Sequence, residues 1–444
     1  MKKGIDALTS FFTQGDLRTI KAKKNILALI IIKSINIITG FLVVPLTINY
    51  VNASSYGIWL AISSIVIWVS NFDLGLPNGF RNKFAEAIAT NNHILARKYV
   101  STTYILLSLI FTTILGILII SNETTNWSTF LHVDYRLATE LHYVFLVISI
   151  FFSIRIVASI FLFMLMADQR PALAATIQTA GQVIALATIF VLTITTKGNL
   201  LFLALALAGM PCLTLLFTSC IAFRFRPYYI YAPSIQYIDF KLTKKILGIG
   251  IQFFLVTIIN ILILQIINIV VSRELGSMAV AQYNIAFKYF SVVYIATEMI
   301  VAPFWSGYTE AYTKQDFKWM HNILSKLEFI LLLSIPFIIL MCLGTDFVIR
   351  LWIGNAVTIP YTLSIAMGLF VFFQSAYCMY SNLVNGIGKV KIQLISFLVT
   401  GLVAIPCIEQ ATRFLGLWGC LLLPTIAYAI IALLCRYQVK RVTY

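Results

Sequence analysis

The sequence predicts an all-α membrane protein with about 12 transmembrane helices in two six-helix bundles, and three observations support this. Hydrophobic residues make up 60% of the 444 residues and charged residues only 11%, whereas soluble domains carry roughly 25% charged residues. Apolar runs of membrane-spanning length recur along the whole chain. Lysine and arginine concentrate in alternate connections between these runs, which is the pattern of loops that face the cytoplasm. The runs leave no room for a soluble catalytic domain, so we expect the protein not to be an enzyme.

The apolar runs fall into two sets of six. The first set covers residues 25–50, 57–75, 100–120, 141–167, 172–195 and 200–223, and the second set covers 246–271, 280–303, 327–343, 359–384, 394–411 and 417–435. These limits predict five segments: a cytoplasmic amphipathic, basic leader (1–24), an N-terminal bundle (25–223), a cytoplasmic basic linker (224–245), a C-terminal bundle (246–435) and a cytoplasmic tail (436–444). Both bundles would begin and end on the same side, so we expect a parallel repeat related by pseudo-twofold symmetry.

The basic residues predict which side of the membrane each connection faces. Of the 32 lysines and arginines, 24 fall on the side of the leader, the linker and the tail, five fall on the other side, and three lie within predicted spans. Short loops rich in lysine and arginine stay in the cytoplasm. We therefore expect a multi-pass protein with both termini in the cytoplasm.

Three basic residues lie within the predicted spans: Lys33, Lys288 and Arg155. A charge at the bilayer centre costs roughly 2.5–3.5 kcal/mol on insertion scales, so such a residue usually faces a cavity or a partner. At about 1.5 Å per residue, Lys33 and Lys288 lie about 12 Å into their spans, and Arg155 lies about 20 Å into its span. Asn36 shares a helix face with Lys33. The pattern favours a cationic lumen that binds an anionic group; snorkelling or pairing with a neighbour is the alternative.

Acidic and amide side chains are sparse in the spans. Asp73 and Glu298 lie near the cytoplasmic ends of the second and eighth spans, where a charge costs less, so gate or helix-end roles are favoured over ion coupling. The stripe formed by Thr257, Asn260 and Asn268 either lines a lumen or bonds neighbouring helices. The four histidines lie singly and no nucleotide-binding motif is present. We expect no cofactor and no metal, and leave coupling to a proton or sodium gradient open.

Residues 71–87, NFDLGLPNGFRNKFAEA, form the most specific motif in the chain. Together with Pro45 and the YGIW step at 56–59, they resemble the end of the second helix in Wzx-type polysaccharide flippases, which carry O-antigen or capsule repeat units. These flippases belong to the polysaccharide transporter family of the multidrug/oligosaccharidyl-lipid/polysaccharide exporter (MOP) superfamily. The resemblance implies a V-shaped, MATE-like pair of bundles in the bacterial cytoplasmic (inner) membrane. It also implies movement of a polyprenyl-pyrophosphate-linked oligosaccharide from the cytoplasmic to the outer leaflet by alternating access, for biosynthesis of surface polysaccharide such as lipopolysaccharide.

This implied cargo gives the singled-out residues provisional roles. A pyrophosphate is anionic, and the three bases within the spans could neutralise it as the head group crosses. Two further bases, Arg81 and Lys83, lie where the head group would first meet the protein, although loop lysines are more often topology signals. Three residues would permit the bend of a gate: Gly75, Pro77 and Gly79. The implied partners are the lipid-linked oligosaccharide, membrane lipids and polysaccharide polymerase machinery, with no nucleic acid.

Two other functions remain open from the sequence. A cation-coupled drug or small-molecule antiporter of the same superfamily would need a more acidic lumen with coupling carboxylates near mid-depth. A membrane polysaccharide polymerase or ligase would need a large loop bearing catalytic groups on the far side. The longest far-side loop here, residues 121–140, is short and carries no recognisable catalytic set, which makes this the weakest of the three.

Overall fold

A computed structural model describes residues 17–51, 55–56, 58–59, 62–63, 73–127, 129, 137–225, 227–353 and 358–443. Most of the predicted second span, the first part of the predicted leader and the centre of the longest far-side loop lie outside these residues. The chain forms two compact units, Met1–Ile251 and Gln252–Tyr444.

The first unit is built from helices throughout its described part. They are α1 (Leu17–Val51), α2 (Leu76–Ala89), α3 (His93–Thr124), α4 (Ala138–Ala158), α5 (Ile160–Ala167), α6 (Pro171–Thr195) and α7 (Leu200–Arg224), which contains a π-helical turn at Leu205–Gly209. Helix α8 (Thr243–Leu275) begins in this unit and continues into the next. Helix α1 takes in the last eight residues of the predicted leader, because the apolar pattern marks the membrane-buried part of a helix and not its full length.

The second unit continues with five more long helices. They are α9 (Ser277–Thr313), α10 (Phe317–Ile353), α11 (Tyr361–Ile387), α12 (Lys391–Leu415) and α13 (Leu422–Thr443), with a 3-10 segment at Gly416–Leu421 between the last two. Several helices are longer than their predicted spans. The 37 residues of α9, for example, extend past the apolar run 280–303 into polar sequence at the end that carries Lys314. We call the end of each bundle where the predicted cytoplasmic connections lie the basic end.

The predicted fold class is confirmed: this is an all-α membrane protein. Ten helices of the described residues are long and apolar enough to cross a bilayer, and the last of them, Lys391–Thr443, contains both α12 and α13. Because the predicted second span lies largely outside the described residues, this number is consistent with about twelve. The helices also carry large apolar side chains facing outward, such as Leu402 at 82% exposure and Phe217 at 68%. Such surfaces suit lipid and not water.

The basic connection after α7 folds back onto the first unit. We call residues 225–242 the docked linker; its 3-10 turns are Tyr228–Tyr231, Ile235–Tyr237 and Phe240–Leu242. Arg97 of α3 donates from Nε to the carbonyl of Ala232 at 2.9 Å. Its guanidinium lies 4.2 Å from the ring centre of Tyr237, within the range of a cation–π contact.

Further contacts with α3 extend this attachment by more than one turn of helix. Lys98 Nζ lies 3.2 Å from Asp239 Oδ2. The backbone N–H of Asp239 donates to Thr102 Oγ1 at 3.0 Å, and the N–H of Ser234 donates to Ser101 Oγ at 3.1 Å. The hydrogen bond from Lys98 lowers the pKa of the Asp239 carboxyl. The docked linker is therefore a folded part of the first unit.

Removing the charge of Asp239 tests this attachment. We expect Asp239→Asn to speed backbone hydrogen exchange in the docked linker several-fold at neutral pH, because the ion pair with Lys98 is lost. The carboxyl pKa is lower in the folded state, so the contribution of the charged form is complete above its ordinary value of 3.8 and disappears as the pH falls through the lowered value. Exchange is read by mass spectrometry. Lys314→Ala, which breaks an i,i+4 pair with Glu310 in the second unit, is the control; equal exchange in both variants would contradict the attachment.

Candidate functional site

Lys33 projects an unpaired charge from the apolar helix α1. Its side chain is exposed, and no hydrogen bond or ion pair to it occurs among the described residues. One turn further on, Asn36 Nδ2 donates to Gln182 Oε1 on α6. The amide pair fixes α1 against α6 one turn from Lys33, and a contact of Asn36 with the cargo remains a prediction.

A second contact fastens α1 to the same neighbour near the basic end. Asn25 Nδ2 donates to the carbonyl of Gln169 at 2.8 Å, and the N–H of Ala172 donates to Asn25 Oδ1 at 3.3 Å. Asn25 and Asn36 are about 16 Å apart along the helix. Lys33 lies between these two attachments, so its backbone is held in place while its ammonium group remains available.

Arg155 lies beside a break in the fourth predicted span. The side chain is exposed, and within the described part of the chain its guanidinium has neither a hydrogen bond nor an ion pair. Helix α4 ends one turn later at Ala158, and α5 starts at Ile160. Between them Ser159 Oγ donates to the carbonyl of Ile156 at 2.6 Å, a local bond of the kind that bends helices. No described contact joins Arg155 to Lys33.

The motif that carries the family resemblance forms a tight corner before α2. Asp73 Oδ1 accepts a hydrogen bond from the N–H of Gly75 at 2.7 Å. Leu74 and Gly75 both have positive φ, 53° and 65°, a conformation that glycine adopts without strain. Pro77 occupies the first turn of α2, where its missing N–H costs no hydrogen bond. The bend is therefore concentrated at residues 74–75, and Asp73 stabilises it.

Gly79 allows two backbones to approach closely within the first unit. A Cβ on Gly79 would lie 2.3 Å from the carbonyl oxygen of Ile246 at the start of α8. A Cβ on Gly250, one turn along α8, would lie 3.0 Å from the carbonyl oxygen of Gly75. The two glycines let the backbones of α2 and α8 pack closely at the corner. Close packing therefore accounts for glycine at both positions.

The two bases within the motif have different surroundings. Arg81 is buried, with 6% of its surface exposed, and it has interactions of its own. Lys83 Nζ lies 2.7 Å from Glu86 Oε2, one turn along α2. Arg81 would have to leave its packed position to meet a head group, so a contact with the cargo at this place remains a prediction.

In the second unit, Lys288 and Glu298 both lie on exposed positions of α9, about 15 Å apart along the helix. Lys288 has interactions of its own. One turn before it, Asn284 Nδ2 donates to Asn268 Oδ1 on α8 at 2.8 Å. The amide pair next to a basic residue repeats, in another helix pair, the arrangement of Asn36 and Lys33 in the first unit.

The polar stripe of α8 forms bonds between helices. Asn268 bonds Asn284, as described above, and Asn260 Oδ1 accepts from the hydroxyl of Tyr428 on α13. That hydroxyl belongs to a buried aromatic group, since the Tyr428 ring centre lies 5.4 Å from that of Tyr377 and 5.6 Å from that of Phe370. Of the two interpretations left open by the sequence, interhelical bonding applies to both asparagines.

A charged network at the basic end of the second unit was not predicted from the sequence. Glu328 Oε1 of α10 accepts from Arg436 Nε of α13 at 2.7 Å and from the Tyr380 hydroxyl of α11 at 3.0 Å. The three residues are separated by 52 and 56 positions, so no sequence spacing pairs them. An acid at the start of an apolar run was the only available signal. Three helices are tied together at this point.

Similar proteins were found by structure only; no family model and no curated protein matches the sequence. A multidrug resistance MATE family transporter of the MOP superfamily, in an outward-facing conformation, is similar with a TM-score of 0.76 and 16% identity, covering 97% of this chain and 98% of that one. A MATE structure in complex with MaD3S has a TM-score of 0.78, 15% identity and the same coverage. This chain has the fold of MATE transporters. A structure of the Vibrio cholerae MATE transporter VcmN is also similar, with a TM-score of 0.73 and 13% identity, covering 96% of this chain and 95% of that one.

The likeness to MATE transporters gives the chain a multi-pass helical membrane fold, as the sequence predicted. The identities of 13–16% leave the cargo to be argued from this chain's own residues. Among the described residues no group of three or more histidine, cysteine, aspartate or glutamate side chains could hold a metal ion.

Proposed function

We propose that the protein is a flippase that moves a polyprenyl-pyrophosphate-linked oligosaccharide from the cytoplasmic to the outer leaflet of the bacterial inner membrane, by alternating access, for surface polysaccharide biosynthesis. The supporting observation is Lys33. It is exposed and unpaired among the described residues, on a helix fixed at two levels. The sequence from 17 to 72, which covers the first predicted span and the second up to the residue before Asp73, contains no aspartate or glutamate. An anion supplied by the cargo is the natural counter-charge, and hydrogen bonds between ammonium and phosphate are strong ones.

Lys288 and Arg155 extend the proposal to later steps of the passage. Each is an exposed base on an apolar helix, and each would offer the pyrophosphate a favourable position at a different depth. Without such positions, a doubly charged head group in hydrocarbon meets a large desolvation barrier. Arg81 and Lys83 would act before them, at the cytoplasmic side. We place both termini in the cytoplasm on the strength of the charge asymmetry.

A second candidate is a cation-coupled drug antiporter, because one similar structure is described as a multidrug resistance transporter. In the described part of the first unit, however, the carboxylates lie at helix ends or in connections. Examples are Asp73 at its corner, Glu86 beside Lys83 and Asp239 beside Lys98. A cationic drug would find no opposite charge at mid-depth there. The third function, a membrane polymerase or ligase, gains no support from the transporter fold.

Deleting the gene in a strain without a redundant flippase tests the proposal. We expect the lipid-linked oligosaccharide to accumulate on the cytoplasmic leaflet and surface polysaccharide to disappear, because the head group cannot cross unaided. Both quantities are measured in the same culture. Labelling of spheroplasts without protease, followed by lipid extraction, gives the leaflet in which the lipid-linked oligosaccharide lies. A polysaccharide gel gives the amount of surface polysaccharide. Normal surface polysaccharide, combined with new sensitivity to cationic drugs, would favour the antiporter instead.

A further inference from the structure

A long apolar groove runs along the second unit between α10 and α11, and α13 joins its lining only towards the basic end. Its wider part is a cavity of about 400 Å³ lined by aliphatic and aromatic residues. Ile335, Ile339 and Leu343 line it from α10, and Ile365, Leu369 and Phe372 from α11. Its neighbours on the surface are also apolar, such as Leu340 at 65% exposure and Leu433 at 62%. Such a groove excludes polar ligands and faces hydrocarbon.

The groove continues to the basic end of the unit. A second cavity, of about 250 Å³, shares Phe372 and Phe373 with the first and ends at Glu328, Tyr380 and Arg436. Along α11 the lining extends from Tyr361 to Tyr380, about 28 Å at 1.5 Å per residue. The hydrocarbon core of a bilayer is about 30 Å thick. The groove therefore spans nearly the whole core, about twice the depth that one leaflet's acyl chain covers.

The two ends of the groove differ in charge. At the basic end the guanidinium of Arg436 is 40% exposed although it pairs with Glu328, and Lys440 follows one turn later on α13. At the other end the lining is Tyr361 and Leu343. An occupant with one anionic end and a long apolar chain would fit in a single direction, with its anion at the basic end.

A cavity in the first unit lacks the charged end of this groove. It also has a volume of about 400 Å³ and is bordered by the third, fourth and sixth predicted spans, the positions that correspond to α10, α11 and α13. Its lining is mainly apolar but includes the hydroxyl groups of Ser108, Thr112, Ser153 and Ser219, and Pro233 of the docked linker borders it. The residues that line it include no charged side chain, so the charged end distinguishes the groove of the second unit.

We propose that this groove binds the isoprenoid tail of the lipid carrier, with the carrier's phosphate beside Arg436 and Lys440. The inference rests on the proposed function, since it assigns a place to the tail of the same substrate. Phospholipid acyl chains are the competing occupant. They are disfavoured because a chain of one leaflet fills about half of the groove, whereas a polyprenyl chain is long enough to follow it past the midplane.

Binding of undecaprenyl phosphate, which carries no sugar, tests the groove directly. Native mass spectrometry on the purified full-length protein gives the affinity, with phosphatidylglycerol as competitor. We expect Ile365→Trp and Leu369→Trp, which fill the groove, to weaken binding about tenfold. The matched control is Leu402→Trp on α12, a residue 82% exposed outside the groove, which should bind like the wild type. Lys440→Gln should weaken binding and reduce its dependence on salt.

The outcomes separate the groove from the proposed function. Equal binding by the wild type and both groove variants, with unchanged melting temperatures, would overturn the groove. So would equal displacement by phosphatidylglycerol, which would assign it to phospholipid chains. If the groove variants lose binding while gene deletion leaves surface polysaccharide normal, the groove stands and the flippase proposal fails. If deletion abolishes polysaccharide but binding does not depend on the groove, only the groove assignment fails.

Discussion

Lys33→Ala is expected to abolish complementation of a deletion strain, with surface polysaccharide falling at least tenfold while the protein still inserts into the membrane. Removing an ion pair to a phosphate in a poorly solvated site costs several kcal/mol, and about 1.4 kcal/mol already corresponds to tenfold. Lys33→Arg keeps the charge and should retain a substantial part of the activity. Lys33→Glu should be as inactive as alanine, because it would repel the cargo.

The control for this series is Lys197→Ala. Lys197 is also exposed but lies in the connection before α7, where loss of one charge removes no contact with a crossing head group. The amount of protein in the membrane is measured by immunoblot for every variant. Lys288→Ala should reproduce the Lys33→Ala defect in the second unit. If Lys33→Ala and Lys288→Ala both complement fully, the cationic pathway is wrong.

Gly79→Ala is expected to have the largest effect on folding. The added methyl carbon would lie 2.3 Å from the backbone carbonyl oxygen of Ile246, and a backbone atom cannot move aside as a flexible side chain can. Helix α2 would have to shift away from α8 and take the corner at Leu74 and Gly75 with it. Overpacking of this kind costs about 1–3 kcal/mol. We expect a lower melting temperature and less folded protein in detergent, measured by fluorescence-detected size exclusion.

Gly116→Ala serves as the matched control. Gly116 also lies inside a helix, α3, but a Cβ there would meet no atom within 4 Å. Replacing an unhindered helical glycine with alanine typically stabilises by about 0.5–1 kcal/mol, so the melting temperature should stay equal or rise. A Gly79→Ala protein as stable as the wild type would show that α2 and α8 do not pack as described.

The sequence was sufficient for the fold class because hydropathy reports directly on transfer into lipid. It placed the membrane helices, and it singled out Lys33 as a charge far from either end of its apolar run. Hydropathy reports depth but not direction around the helix axis. For that reason it gave no indication that Asn36 would bond Gln182, or that Arg81 would be buried.

Long-range polar pairs could not be predicted from the sequence, for a different reason. Glu328 and Arg436 are 108 residues apart, and many other pairs of opposite charge would have served equally well in one dimension. The break at Ser159 was also missed, since serine occurs often in membrane helices and bends only some of them. The motif at residues 71–87 was recognised by resemblance, and the structure adds the cause: an Asp–Gly turn and a glycine contact between backbones.

The docked linker has a consequence for how force passes along the chain. A free segment of 18 residues would behave as a flexible coil, so a displacement of one end would not be transmitted to the other. Here the ion pair at Asp239 holds the last turn before α8 against α3, so hardly any slack remains at the junction. A pull on the start of α8 at Thr243 would reach α3 through the short stretch back to Asp239. The docked linker is therefore a stiff connection between α3 and α8. Loosening it should let these two helices move independently, without changing any residue that contacts cargo.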